Sequence, residues 1–344
     1  MKTRISILGA TGYGGGELLR RLLFHPAVTI SHATSRQHAD TPVAKVHRNL
    51  HGWTDLPFSN PSTDELLQSS DIIFGALPHG ASATTLAPFI AAGKTVIDLS
   101  GDFRLRCADA YHTWYRQPHP HPNLLSRATY GLPELNANAL AQADLIASPG
   151  CFATAINLAL LPAAQRGLLQ DTPQVVAMTG SSGSGASPSA GTHHPERAQT
   201  LRPYKVLAHQ HTPEILQCAQ DAGSPLAGLA FTPVSAPLVR GILAVVTATL
   251  TRPLDDSELV GTYRQAYTPF PHVLVLNDRE PEVGPIAGTC SVELRPRLHN
   301  PTTLHVLCAI DNLVKGGAGQ AVQAMNLRLG LPLQTGLQQP APWP

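Results

Sequence analysis

The chain has 344 residues, 24 Lys+Arg against 23 Asp+Glu, and a net charge of +1 with only 14% charged residues, below the ~25% usual for soluble domains. That balance leaves no electrostatic footprint for nucleic acid or acidic membrane, and no apolar run reaches the ~18 residues of a transmembrane helix. The length suits two domains, and five Cys spread from 107 to 308 make neither a disulfide framework nor a CxxC pair. A cytoplasmic protein is expected, because residues 1–7 enter a strand pattern at once, with no signal-peptide core.

Ile5-Ser6-Ile7-Leu8 reads as a buried strand that runs into Gly9-Ala10-Thr11-Gly12-Tyr13-Gly14-Gly15-Gly16 and then a helical pattern from Glu17. Strand, glycine turn and helix N-terminus together make a phosphate cradle: bare backbone approaches the ligand and free N–H groups meet its charge. The spacing is Gly9-x-x-Gly12-x-x-Gly15, and Gly9, Thr11, Gly12, Tyr13, Gly14 and Gly15 are the candidate cofactor contacts. A second strand at 28–33 ends in Thr34-Ser35-Arg36 with no acid to bind a ribose 2′-hydroxyl. Ser35 and Arg36 there favour the 2′-phosphate of NADP. Strands at 71–77 and 95–100 alternate with helical stretches, which predicts a doubly wound parallel sheet. Ligands of such sheets lie beyond the strand C-termini, so Pro78 joins the cofactor contacts and 100–104 lies close by. The proline-dense stretch 111–122 predicts a surface loop. Its His119 and His121 lack a third ligand at a recognisable spacing, so no metal is expected.

A strand at 145–148 leads to Pro149-Gly150-Cys151-Phe152 and a helix. Cys at a helix start is set to ionise and attack a carbonyl, with an oxyanion held by the same N–H groups. It also fits a small buried residue at a tight turn, and position alone leaves both open. Cys107, Cys218, Cys290 and Cys308 read as packing or surface. By composition, Gly180–Gly185 fits a flexible linker. In an extended 204–211 segment, His209 and His211 point the same way, with Thr212 as N-cap and Pro213 at the first position of the next helix. One imidazole suits acid/base work and the other substrate positioning; sequence does not rank them. Arg104 and Arg240 offer bidentate forks for an anion, or equally surface ion pairs. Strands at 243–250, 273–276, 290–294 and 304–310 join 204–211 in a mostly antiparallel sheet.

Gly9-Ala-Thr-Gly-Tyr-Gly-Gly, Leu99-Ser-Gly-Asp-Phe-Arg-Leu, Ser148-Pro-Gly-Cys-Phe-Ala-Thr, His209-Gln-His-Thr-Pro-Glu, Val239-Arg-Gly-Ile and Asp311-Asn-Leu-Val-Lys-Gly occur in this order. Together they resemble the N-acetyl-gamma-glutamyl-phosphate reductases of arginine biosynthesis over nearly the whole chain. Ser148 is a departure, since that family more often carries Asn there. The resemblance implies an α/β protein: a Rossmann-type NADP-binding domain (1–149, completed by 313–344) and an α+β catalytic and oligomerisation domain (150–312). It implies NADPH-dependent reduction of the acyl phosphate through a Cys151 thioester, with His209 and His211 as catalytic groups, in a homodimer or homotetramer. Ser182, Gly183 and Asn312 would approach the cofactor, and Arg104, Glu214 and Arg240 would serve the substrate, with Glu214 also placed to orient an imidazole. The sister reductases of lysine biosynthesis, acting on aminoadipyl or glutamyl phosphate borne by an acidic carrier protein, are the nearest rival. Arg197, Arg202 and Lys205 would be the basic cluster for such a carrier. Aspartate-semialdehyde dehydrogenase matches less well, and a regulator that has lost catalysis would not need the intact Cys151 and His pair.

Overall fold

A computed structural model describes residues 2–342. Residues 1, 343 and 344, which the expected ranges 1–149 and 313–344 include, lie outside the described residues. Contacts divide the chain into two units, one of residues up to Pro149 with Gly317–Gln338, the other built on Gly150–Gly316.

In the first unit, β1 (Thr3–Leu8), β2 (Val28–Thr34), β3 (Phe58–Ser59), β4 (Ile72–Gly75), β5 (Thr95–Asp98), β6 (Thr129–Tyr130) and β7 (Leu145–Ala147) form one sheet. Its order is β3-β2-β1-β4-β5-β7-β6, and every pairing is parallel. β4 and β5 are buried along their whole length, as befits strands covered on both faces. Helices α1 (Tyr13–Leu22), α2 (Val43–Val46), α3 (Thr63–Ser69), α4 (Ser82–Ala91), α5 (Ala108–Tyr115) and α6 (Pro133–Leu140) accompany it. The order reverses between β1 and β4, so the glycine turn leaves the sheet at its switch point.

The expected surface loop at 111–122 is corrected: its first half belongs to α5. Tyr111 is fully buried there, and His119 is also buried. The prolines all follow the end of α5. His119 stacks edge-on against both Tyr111 and Phe103 at 4.8 and 5.6 Å, which draws the stretch inward.

The second unit holds β8 (Leu169–Thr179), β9 (Arg202–Pro203), β10 (Ala230–Ser235), β11 (Ile242–Leu250), β12 (Val273–Val275), β13 (Val292–Asn300) and β14 (Thr303–Ile310). The order is β12-β13-β14-β11-β8-β10-β9. The central pairings are antiparallel, while β12–β13 and β8–β10 run parallel, so the sheet is mixed. Helices α7 (Cys151–Gln165), α8 (His194–Arg197), α9 (Thr212–Asp221) and α10 (Asp256–Tyr267) belong to this unit. Along β11, Ile242, Ala244, Val246 and Ala248 are buried and alternate with Leu243 and Val245, which are half-exposed. On the face of those half-exposed residues, Val176, Val245 and Leu307 stand in register across three strands, an apolar strip with Val176 44% exposed.

The 204–211 segment is not a strand. Only Arg202–Pro203 pairs with β10, and the chain then turns through Lys205 and Leu207 at φ +45° and +59°. After the second unit the chain closes with α11 (Gly319–Arg328), part of the first unit. There Asn326 bonds His25 at 2.9 Å. No helix among the described residues is long and apolar enough to cross a membrane.

Candidate active site

At the first helix end, α1 begins after Gly12 with no side-chain cap and no acid in its first turn, leaving N–H groups and the positive dipole end available. Two of the glycines are required by the fold itself. Gly9 sits at φ +79° with Ala76 O 2.5 Å from any Cβ, and a Cβ on Gly15 would lie 2.6 Å from Ala10 Cα. Gly12 and Gly14 differ: an added Cβ would meet nothing closer than 3.9 and 3.7 Å. The open space over Gly12 and Gly14 leaves room for a diphosphate to approach the backbone. Thr11 is half-buried and Tyr13 exposed beside it.

The end of β2 lies against this turn, Gly9 N–H donating to Thr34 Oγ1 at 3.3 Å. Ser35 follows, its Oγ accepting His38 N–H, and Arg36 is exposed. These residues fit a dinucleotide with a 2′-phosphate. Pro78 is exposed in the loop after β4. Asp102, fully buried, fastens that loop by accepting Gly80 N–H and Ala83 N–H at 2.8 and 2.9 Å and the Tyr111 hydroxyl at 3.0 Å. Asp98 accepts the hydroxyls of Ser82 and Ser100, both at 2.6 Å. Burial pushes its carboxyl up to about 6, against the pull of those hydrogen bonds. Arg104 is buried and gives Nε to Ser148 O and Nη2 to Leu99 O, at 2.8 and 2.9 Å. It therefore joins the chain just after β5 to the chain just after β7.

The second helix end carries the thiol. α7 starts at Cys151 with Gly150 as N-cap, again without a side-chain cap, and Cys151 is half-exposed while the helix behind it is buried. Cys218, Cys290 and Cys308 are buried, and burial pushes the Cys308 thiol up to about 12, with Lys315 pulling the other way. Such a thiol is inert. Around Cys151 the chain places side chains closely. A Cβ on Gly150 would lie 2.3 Å from His211 Nε2, and one on Gly316 would lie 2.8 Å from Cys151 Cβ. Glu214 is buried and accepts Gly150 N–H at 3.1 Å, its other oxygen 3.9 Å from His211 Nε2.

The two imidazoles do meet, with ring centroids 4.5 Å apart, but through a turn. His211 N–H donates to His209 Nδ1 at 3.2 Å, so neutral His209 carries its proton on Nε2. His209 is packed among the rings of Phe152, Tyr204 and Phe231. The expected N-cap shifts by one: His211 caps α9, Thr212 is its first residue and Pro213 its second. Tyr204 went unforeseen. Burial and the neighbouring Cys151 both push its phenol well above the ordinary value, which marks it as part of the thiol's surroundings.

Two expected substrate ligands are engaged elsewhere. Arg240 closes its fork on Asp311, with Nε and Nη2 at 2.9 and 3.1 Å from the two carboxylate oxygens. Glu214 accepts the Gly150 backbone N–H with one oxygen. Ser182 and Asn312 bond each other, Nδ2 to Oγ at 3.0 Å, and Asn312 Oδ1 accepts Gly241 N–H at 2.7 Å. Gly183 beside them has open space, its nearest neighbours 3.7 Å from an added Cβ.

Comparison with known proteins fits this arrangement. The semialdehyde dehydrogenase NAD binding domain matches residues 4–143, and the semialdehyde dehydrogenase dimerisation domain matches residues 151–312. The chain belongs to the semialdehyde dehydrogenase family. It is thus an oxidoreductase with an NAD(P)-binding Rossmann-type sheet and a second, mixed sheet. A protein of Thermomicrobium roseum named as a LysW-L-2-aminoadipate 6-phosphate reductase is 44% identical, with 99% of each chain covered. The N-acetyl-gamma-glutamyl-phosphate reductase of Nitrosococcus oceani is 41% identical, with 95% of each covered. Aspartate semialdehyde dehydrogenase II of Vibrio cholerae shares the fold at a TM-score of 0.73 and 18% identity, over 96% of this chain and 99% of that one.

Proposed function

We propose that this semialdehyde dehydrogenase family member is an NADPH-dependent reductase of an acyl phosphate and works through a thioester on Cys151. The carrying observation is the half-exposed thiol at the start of α7, with His211 Nε2 over the preceding Gly150. His211 takes the thiol proton, and the thiolate attacks the acyl carbon. The helix-end N–H groups hold the oxyanion, worth roughly 3 kcal/mol per donor. Phosphate leaves with the C–O bonding pair, and the thioester remains. The 9–15 turn with Ser35 and Arg36 would hold NADPH, which would supply the hydride that reduces the thioester. The resulting alkoxide collapses to aldehyde as the C–S bond breaks, and imidazolium His211 returns its proton to the departing Cys151 sulfur. His209, fixed among aromatic rings, positions His211. Arg104, which donates to Ser148 O and Leu99 O, is assigned to the substrate's anionic group.

For the acyl group, the LysW-linked aminoadipyl or glutamyl phosphate is favoured, because the LysW-named relatives reach 44% identity over 99% of the chain. Free N-acetyl-gamma-glutamyl phosphate is the second reading, supported by the 41% identical Nitrosococcus oceani enzyme and by the motif at 148–154. Phosphate-dependent NADP reduction, followed with each semialdehyde in turn, tests both. Turnover mainly on the LysW-linked compound is expected. Turnover on N-acetylglutamate semialdehyde alone moves the assignment to the second reading, and turnover on neither sinks the proposal.

We also assign NADP binding to the first unit and oligomerisation to the second. The in-register strip of Val176, Val245 and Leu307 supports a homo-oligomer, and sedimentation at micromolar concentration is expected to show at least a dimer.

A further inference from the structure

We propose that Asp311 is a positioning residue for the Cys151 nucleophile, acting through the turn that ends at Gly316. The proposal rests on the thioester reading above. Asp311 is fully buried, and its carboxylate gathers donors from separate segments of the second unit. One oxygen accepts Arg240 Nη2 at 3.1 Å, Leu313 N–H at 2.8 Å and Val314 N–H at 2.9 Å. The other accepts Arg240 Nε at 2.9 Å and Gly288 N–H at 2.6 Å. The side chain thereby sets the start of the 313–316 turn. The carbonyl of the same residue closes it by accepting Gly316 N–H at 2.9 Å.

Gly316 is where this turn reaches the thiol. An added Cβ would lie 2.8 Å from Cys151 Cβ, 3.1 Å from Cys151 Cα and 3.3 Å from Asp311 O. Backbone therefore forms one wall of the nucleophile's place, and Asp311 holds that wall from both ends. Both carboxylate oxygens face only donors among these contacts. An amide at this position puts an NH2 against two or three N–H groups whichever way it is turned, so charge and not shape is what the position requires.

The test uses the full chain in a Cys107→Ser background, which removes the other exposed thiol. Asp311→Asn is expected to lower kcat by about 10- to 100-fold, the scale of an ångström-level misplacement of a reacting group. KM for NADPH should stay unchanged, and the pH midpoint for iodoacetamide alkylation of Cys151 should move, a readout that a merely structural role would not shift. Gly316→Ala breaks no hydrogen bond and presses a methyl on Cys151, and it should show the same kcat loss and altered alkylation. If Asp311→Asn does not fold, Gly316→Ala decides. Wild-type kcat and alkylation profile in the folded variants overturn the proposal. Cys151→Ser run alongside separates the two ideas: retained turnover there defeats the thioester reading itself, whereas a dead Cys151→Ser with unaffected Asp311→Asn and Gly316→Ala defeats only the positioning role.

Discussion

The helix ends at Gly12 and at Gly150 are closely similar pieces of backbone. Each has an extended glycine N-cap, at φ/ψ −73°/170° and −66°/149°, with no side-chain cap and no acid in the first turn. Their surroundings differ. Over Gly12 and Gly14 the protein leaves space, while at Gly150 it brings in His211, Glu214 and, against Cys151, Gly316. An open N-terminus suits an anion that arrives with a ligand and leaves again. A crowded one suits a charge that develops on the chain's own sulfur and must find its proton acceptor already in place.

The largest expected effect comes from removing the group that only the second turn carries. Cys151→Ser should cut turnover by on the order of 10^4-fold or more while NADPH binding, followed by fluorescence titration, stays intact. Loss of NADPH binding in that variant would break the division of labour. His211→Ala should come next, at about 10^2- to 10^3-fold in kcat, and should exceed His209→Ala, whose ring is packed behind it. Equal losses in the two variants would remove the ranking that the 2.3 Å approach of His211 Nε2 to a Gly150 Cβ suggests.

The first turn is tested by its glycines. Gly15→Ala drives a methyl to 2.6 Å from Ala10 Cα and should lower Tm or prevent folding, through a steric clash unrelated to ligand. Gly14→Ala has room in the protein and should keep its Tm, yet weaken NADPH about tenfold, or ~1.4 kcal/mol. Unchanged affinity in Gly14→Ala would show that the open space is not the cradle.

Both turns were legible in the sequence, because each is a short apolar strand, a glycine and a helical period within a dozen residues. What lay beyond was partnership across long separations. Nothing in Val239-Arg240-Gly241 reveals that the Arg240 fork closes on a carboxylate 71 residues away. An alternation argument treats 204–211 as extended, and it fails because Lys205 and Leu207 adopt positive φ, a conformation that propensity assigns to Gly or Asn. Tyr204 carried no spacing signal of its own, and only the fold brings it to the thiol. Likewise Tyr111 and His119 looked like loop residues, since the prolines after 117 are visible in sequence and the aromatic cluster that buries them is not.

The turns also differ in the carboxylates that serve them, and this gives a predicted effect on stability and not on turnover. Glu214 reaches the Gly150 N–H directly, whereas in the first unit Asp98 and Asp102 act on the loops after β4 and β5. Asp98 is the one whose ionisation opposes the fold, its carboxyl being pushed up by burial to about 6 from an ordinary value of 3.8. The folded state therefore prefers the protonated form. That preference contributes fully below about pH 4 and is lost as pH rises through about 6, a difference of about 3 kcal/mol at most. Asp98→Asn keeps an acceptor for the Ser82 hydroxyl and adds a donor toward Ser100, so it mimics the neutral acid. Calorimetry from pH 4 to 7.5 should show the Tm of the wild type falling relative to Asp98→Asn as pH rises, with Cys151 alkylation unaltered. A Tm difference that stays constant over this range would mean that Asp98 ionises in the fold as readily as in the unfolded chain, and that hydrogen bonds from Ser82 and Ser100 fully offset its burial.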